Sequence, residues 1–226
     1  SVVVPVRNEA EEIEGLSLAC REAISPLGLA WELLFIDDAS EDETPTRVRN
    51  MARKIEKIHL FQTNGAGQSK ATAVGVRGAR HGWILTIDAD QRLSFDVVRT
   101  LLASLAHERD LILGNRGART SLPRWRRGGS ALLRTLLNWW LGASLSDATT
   151  SIRLFSRRLG EEAVEIAERC DIPLHLALLA RAGRIVEVPF PYRVRPDSRY
   201  HLWSLARLAF RILCAIPRIR RRGRAP

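Results

Sequence analysis

The stretch WELLFIDDASEDETPTRVRNMARKIEKIHLFQ, residues 31–62, decides the fold. Its first part, WELLFIDD, is an apolar run that closes on two adjacent acids, Asp37 and Asp38, and reads as a buried strand. TPTRVRNMARKI places a proline in its first turn and reads as a helix. IHLFQ is again strand-like. A strand, a helix and a strand in so short a span point to a parallel pair joined by a crossover helix.

The same rhythm extends outward on both sides. SVVVPV reads as a strand, and NEAEEIEGLSLACREAI as a helix that ends at Pro26 and Gly28. Asn8 stands at the N-cap of that helix with Glu11 three residues on, the spacing of a capping box. After residue 62, GQSKATAVGVRGARHG is a helix of small residues and WILTIDAD a fourth strand. SFDVVRTLLASLAHE is a helix capped by Ser94, and DLILGN a fifth strand. The expected fold class is therefore α/β, with a mostly parallel central sheet and flanking helices.

The pattern changes after Asn115. RGARTSLPRWRRGG is a basic loop, and SALLRTLLNWWLGASL a helix apolar nearly all round, with Ser130, Arg134 and Asn138 on one stripe. GRIVEVPFPY is a late strand, and RYHLWSLARLAFRILCAI a last amphipathic helix.

Charge divides the chain in the same way. It has 226 residues and a net charge of +10. Residues 1–60 hold twelve acids and seven Lys or Arg, whereas residues 111–160 hold nine Arg and one acid, Asp147. The tail RIRRRGRAP adds five Arg and no acid. Such a half suits phosphates or an anionic lipid surface. It is not expected to bind nucleic acid, because no nucleic-acid motif is present and the aromatics sit in apolar helices away from the arginines. Cys20, Cys170 and Cys214 are far apart and fit neither a disulfide framework nor a metal spacing. The opening residues read as a strand rather than a leader, and no uncharged run approaches the roughly 20 residues of a membrane span.

Each acid-bearing strand carries its acids at its carboxyl end. Asp37 and Asp38 follow LLFI; Asp88 and Asp90 follow ILTI. That edge of an open α/β sheet is where ligands bind. Asp88 and Asp90, two apart, share a face if the segment is extended, and their repulsion could be relieved by a divalent cation bridging to phosphates. They could equally be solvated turn acids. PVRNE, DDASEDET and NGAGQSKA leave the preceding strands at the same edge, and the glycines of the last permit close approach to a phosphate.

VVVPVRNEAEEI, LLFIDDASEDET, NGAGQSKATAVGVRGARHGWILTIDAD, LILGNR and SDATTSIRLFSRR occur in the order found in family-2 glycosyltransferases, which the chain resembles. GNR, RWRRGGS and RVRPDSRYHLW add a likeness to the polyprenyl-phosphate sugar transferases, such as dolichol-phosphate mannose synthase. The resemblance implies a GT-A fold and transfer of a hexose from a GDP- or UDP-sugar to a membrane polyprenyl phosphate. A family-2 enzyme acting on another lipid or a soluble acceptor is the alternative. It further implies that Pro5, Arg7, Glu9, Asp37 and Asp38 line the nucleotide pocket. Asp88 would contact the nucleotide-sugar, and Asp90 would hold Mg2+ or Mn2+, with Asp88 and Gln91 beside it. Arg116, Arg126 and Ser130 would hold the acceptor phosphate; Asp147 and Arg153 would shape the sugar and diphosphate side; Arg195 and Arg199 would lie on a closing loop.

Three places depart from the family pattern. The metal loop reads DADQR where DADLQ is common, so either Gln91 or Arg92 stands at the third metal-side position. Ser151-Ile152-Arg153 replaces Gly-Phe-Arg, and Ser198-Arg199 replaces Ser-Lys. The implied division is a catalytic domain over 1–195, with a nucleotide-sugar half (1–115) and an acceptor half (116–195), then a closing loop, interfacial helix and basic tail over 196–226. Trp139, Trp140 and Trp203 would sit at headgroup level, which places the protein on the cytoplasmic face of a membrane.

Overall fold

The computed structural model describes residues 1–91, 93–115, 135, 138, 144–148 and 150–190. In chain order these form β1 (Val2–Val6), α1 (Ile13–Ile24), β2 (Leu33–Asp38), α2 (Thr44–Lys54), β3 (Ile58–Thr63), α3 (Gln68–Gly78), β4 (Trp83–Thr86) and α4 (Phe95–Ala103). They continue as β5 (Asp110–Asn115), β6 (Arg153–Ser156), α5 (Arg157–Cys170), α6 (Leu174–Arg181) and β7 (Arg184–Pro189). The strands make one sheet in the order β3-β2-β1-β4-β6-β5-β7. All pairings are parallel except those of β6, which runs antiparallel to both β4 and β5.

Strand alternation divides the core into two layers. Val3, Leu34, Ile36, Ile84, Leu111 and Phe155 pack beneath α3, α5 and α6. Val2, Val4, Phe35, Leu85, Ile112 and Leu154 pack on the opposite face, under α1, α2 and α4. α3 lies very close to the sheet: a Cβ on Gly75 would stand 2.3 Å from Val3 Cγ1. Only hydrogen fits there, and this close approach seats the start of α3 over the edge where β1 and β4 end.

The helices expected over residues 44–55 and 67–82 form, with Pro45 in the first turn of α2 and α3 ending at Gly78 rather than 82. Ser94 caps α4, its hydroxyl accepting from Val97 N–H at 3.3 Å. Two local expectations are corrected. Asn8 is not the cap of the first helix. It adopts φ +54, and a short 3-10 turn, Ala10–Glu12, precedes α1 with no side-chain cap. Asp88 and Asp90 do not extend β4, which stops at Thr86; they sit in a turn closed by Gln91 N–H on Asp88 C=O at 3.1 Å. The apolar helix expected over 130–145 lies largely outside the described residues, and the last amphipathic helix wholly so. Among the described residues, no helix is long and apolar enough to cross a membrane.

Candidate active site

The strand order places a topological switch point between β1 and β4. From β1 the chain moves out through β2 and β3, then returns to the other side with β4. Crevices at the carboxyl ends of such a strand pair are where α/β sheets bind ligands, because the loops leave in opposite directions. The crevice here is real in the pairing. β1 and β4 are joined only at Val2–Leu85 and Val3–Thr86, whereas β1 and β2 stay paired up to Val6–Asp37. Pro5 sits in the part of β1 that has no partner on β4, so its missing N–H breaks no bond there.

The β1 loop is sewn to the β2 loop. Asn8 N–H donates to Ser40 Oγ, and Asn8 Oδ1 accepts from Glu41 N–H, both at 2.9 Å. Glu9 N–H donates to Thr44 Oγ1 at 2.9 Å, and Ala10 N–H to Asp42 Oδ2 at 3.3 Å. Thr44 N–H donates to the other oxygen of Asp42 at 2.9 Å. Burial opposes the charge on Asp42, but these donors outweigh it and hold the carboxyl below its ordinary range. The clasp fixes exposed Arg7 and half-buried Glu9 beside the crevice. An Asn is suited to the left-handed turn at residue 8, which lets one side chain serve both loops.

Asp37 and Asp38 reach the same edge, where each carboxylate also ties neighbouring loops. They are 1% and 4% exposed. Asp37 accepts from Ser40 N–H and from the Gln62 amide, each at 3.2 Å. Asp38 accepts from the Thr63 hydroxyl and from Gly67 N–H, the latter at 2.9 Å. The register makes this possible, since Asp37 pairs with Gln62 and Asp38 with Thr63. Gly65 and Gly67 take φ +74 and +93, which explains the glycines of NGAG. The Gly67 N–H donates to Asp38.

The fourth loop carries the two half-buried carboxylates of the DAD turn. Asp88 Oδ1 accepts from the Gln68 amide at 2.8 Å, which ties the turn to the start of α3. Asp90 Oδ1 accepts from the Gln91 amide at 2.7 Å. Gln91 is fully buried, so its amide orients Asp90 from below. The two carboxylates of this turn are hard oxygen donors of the kind Mg2+ or Mn2+ takes. Among the described residues, no group of three or more His, Cys, Asp or Glu is placed to hold a metal, so remaining ligands would come from substrate phosphate or water.

The far side of the crevice is built by β6 and β7. Glu187 on β7 accepts from Ser146 N–H and from Asp147 N–H at 2.6 Å, and so anchors the Asp147 loop. Asn138 exchanges two 3.0 Å hydrogen bonds with the backbone of Leu145, which accounts for one of the polar residues in an otherwise apolar segment. Arg153 opens β6 opposite Thr86 and Leu113. Pro5, Arg7, Glu9, Asp37, Asp38, Asp88, Asp90, Gln91, Asp147 and Arg153 thus all belong to one edge of the sheet. Arg92, Arg116, Arg126, Ser130, Arg195 and Arg199 lie outside the described residues. Thr63, Gln68 and Glu187 are positioning residues that the sequence reading does not single out. Gln68 is the one with a signal, as the first residue after a glycine turn facing the acidic loop.

Comparison with known proteins agrees with this fold. The model of the family described as "Glycosyl transferase family 2" matches residues 1–163. An undecaprenyl-phosphate 4-deoxy-4-formamido-L-arabinose transferase of Salmonella paratyphi B is 26% identical over 219 residues, covering 96% of this chain and 67% of that protein. A mannosyltransferase from Pyrobaculum calidifontis, solved with GDP-Man and Mn2+, superposes with a TM-score of 0.64 at 22% identity, covering all of this chain and 65% of its own. Glucosyl-3-phosphoglycerate synthase from Mycobacterium tuberculosis, solved with Mn2+, UDP and glucosyl-3-phosphoglycerate, gives 0.63 at 23% identity, covering 96% and 79%. These structural likenesses concern the fold.

Proposed function

The chain belongs to glycosyl transferase family 2, and from that premise we propose that it moves a hexose from a nucleotide-sugar to a membrane polyprenyl phosphate in a metal-dependent reaction. The observation that carries the reading is the DAD turn: two half-buried carboxylates, each met by a glutamine amide, at the mouth of the β1/β4 switch point. The acceptor is argued from the Salmonella relative, named for undecaprenyl phosphate, and from the nine arginines between residues 111 and 160.

The chemistry asks for little from the protein beyond position and charge. A polyprenyl phosphate is already an anionic nucleophile and needs no general base. What it needs is to be held in line with the anomeric carbon, and to have the charge of two anions offset. Mg2+ or Mn2+ held by Asp90, with Asp88 beside it, would neutralise the departing diphosphate. The β1–β2 clasp holds Arg7 and Glu9 toward the nucleotide. Asp37 and Asp38 line the nucleotide pocket and tie the loops around it. Asp147, anchored by Glu187, and Arg153 face the sugar and diphosphate. Arg116, Arg126 and Ser130 take the acceptor phosphate, since a guanidinium fork binds phosphate with two hydrogen bonds and keeps its charge. Arg195 and Arg199 close over the donor. In this reading residues 1–115 hold the donor and 116–195 the acceptor, and residues 196–226 meet the anionic surface of the membrane.

Titration of GDP-mannose, UDP-glucose and UDP-N-acetylglucosamine with and without Mn2+ tests the donor site. One of the three is expected to bind only with the metal, and Asp90→Asn is expected to abolish that dependence while the protein stays folded. Unchanged metal-dependent binding in Asp90→Asn would overturn the assignment.

A further inference from the structure

Resting on the reading of this edge as a nucleotide-sugar site, we propose that Ser151 and His175 read hydroxyl groups of the transferred sugar and so set its identity. Neither residue belongs to the acidic loops or to the arginine set assigned above.

Two buried polar atoms carry the inference. Ser151 Oγ and His175 Nε2 are both shut off from water and have no hydrogen-bond partner. A buried polar atom left unpaired costs about 1–3 kcal/mol, so two of them on elements tied to the carboxyl edge of the sheet call for a reason. The topology brings them together. Ile152 and Leu154 pack under α1 and α4, and Phe155 on the other face, so by alternation Ser151 and Arg153 belong to the face covered by α3, α5 and α6. His175 stands in the first turn of α6 on that same face. It lies near enough to Arg153 to feel its charge.

The cluster is tied to the acidic turn at two points. Thr86 Oγ1 donates to Ser151 C=O at 2.7 Å, two residues before Asp88. Leu174 N–H donates to Ser69 Oγ at 2.8 Å, and the neighbouring Gln68 holds Asp88. The beginnings of α3, α6 and β6 therefore meet at the carboxyl edge of the sheet, on the Asp88 side of the crevice.

The chemistry of the two groups selects the ligand. Burial, reinforced by the positive charge of Arg153, pushes the imidazole of His175 down to about 3. At neutral pH it is uncharged. It supplies no counter-charge for a diphosphate, and it is too weak a base to take a proton. What it offers is one donor and one acceptor, and a serine hydroxyl offers the same pair. A sugar hydroxyl both gives and accepts, and so can pair with each of these groups. Sites built to pair a hydroxyl reject analogues that lack it or point it elsewhere, because the protein groups are then left unpaired.

The test measures how much the sugar adds to nucleotide affinity. With Mn2+ present, calorimetry gives Kd for GDP against GDP-mannose, and for UDP against UDP-glucose and UDP-N-acetylglucosamine. The ratio for the pair that the wild-type protein binds is then taken in Ser151→Ala, His175→Gln and His175→Phe. The expected result is an unchanged Kd for the nucleoside diphosphate and a ratio reduced about tenfold, the loss of roughly one hydrogen bond. His175→Gln and Ser151→Ala, which keep or barely change the packing, carry the test if His175→Phe does not fold. A ratio that does not move, or a nucleoside diphosphate Kd that weakens in parallel, overturns the proposal and leaves the donor reading standing. Absence of binding by any nucleotide-sugar to the wild-type protein takes both down.

Discussion

Gln91 donates its side-chain amide to Asp90 at 2.7 Å from a position with no exposed surface. The residue next to the acidic pair is thus a support beneath one carboxylate. Partners that orient a metal-holding carboxylate typically govern affinity by 10–100-fold. Gln91→Leu keeps the buried volume and removes the donor. It is expected to weaken Mn2+ binding about tenfold, read by titration of the metal's paramagnetic signal, with the far-ultraviolet circular dichroism unchanged. Wild-type affinity in the variant would show that Asp90 is held by something else.

Gly67 occupies φ +93 with its N–H on Asp38. A Cβ there meets nothing within 4 Å, so any cost comes from the backbone alone. Gly67→Ala is expected to lower stability by about 1–3 kcal/mol in urea unfolding, because φ +93 with ψ 154 is a backbone region that essentially only glycine adopts. It should also weaken nucleotide binding, because the loop that Asp38 anchors would shift.

Gly75 makes the opposite case. Its φ is ordinary, and a Cβ would lie 2.3 Å from Val3 Cγ1 and 3.1 Å from Ile36 Cγ1. Gly75→Ala should cost about 1–3 kcal/mol through overpacking. Val3→Ala combined with it should recover part of that loss, which a double-mutant cycle of urea midpoints would reveal as non-additivity.

Asp110 and Arg184 tie the amino ends of β5 and β7. The Arg184 guanidinium donates to both oxygens of Asp110, at 2.6 and 3.1 Å, and Ala106 and His107 N–H add to it. The guanidinium bond, with those N–H donors and against the opposing effect of burial, holds the carboxyl far below its ordinary range. The unfolded chain takes up a proton near pH 4. The stabilisation is therefore complete above that pH and falls as pH drops through the acid range. Asp110→Asn should be less stable than wild type at pH 7, and the gap should narrow below pH 4 in unfolding curves taken across that range.

Residues 31–62 were enough to read the fold, because strand, turn, proline-led helix and strand each carry their own local signal. The convergence of the four loops was legible for the same reason: acids at strand ends name an edge. What escaped depends on partners distant in sequence. β6 is only four residues, RLFS, and its antiparallel insertion between β4 and β5 is set by neighbours rather than by its own pattern. Asn8 looked like a helix cap, yet its side chain is taken by Glu41, thirty-three residues away. Asp38 is named by its place at a strand end, but the Thr63 hydroxyl that holds it comes only from the strand register. Asp88 and Asp90 were expected to share a strand face. The strand stops at Thr86 and they lie in a turn instead, which spacing alone does not distinguish.

The most direct test of the account is transfer of labelled sugar to polyprenyl phosphate in detergent. GDP-mannose, UDP-glucose and UDP-N-acetylglucosamine serve as donors, each with and without Mn2+. The account predicts label in the lipid phase from one donor, only when the metal is present, and none with Asp90→Asn. Release of free sugar with none reaching lipid, or lipid labelling that persists without metal, would contradict it.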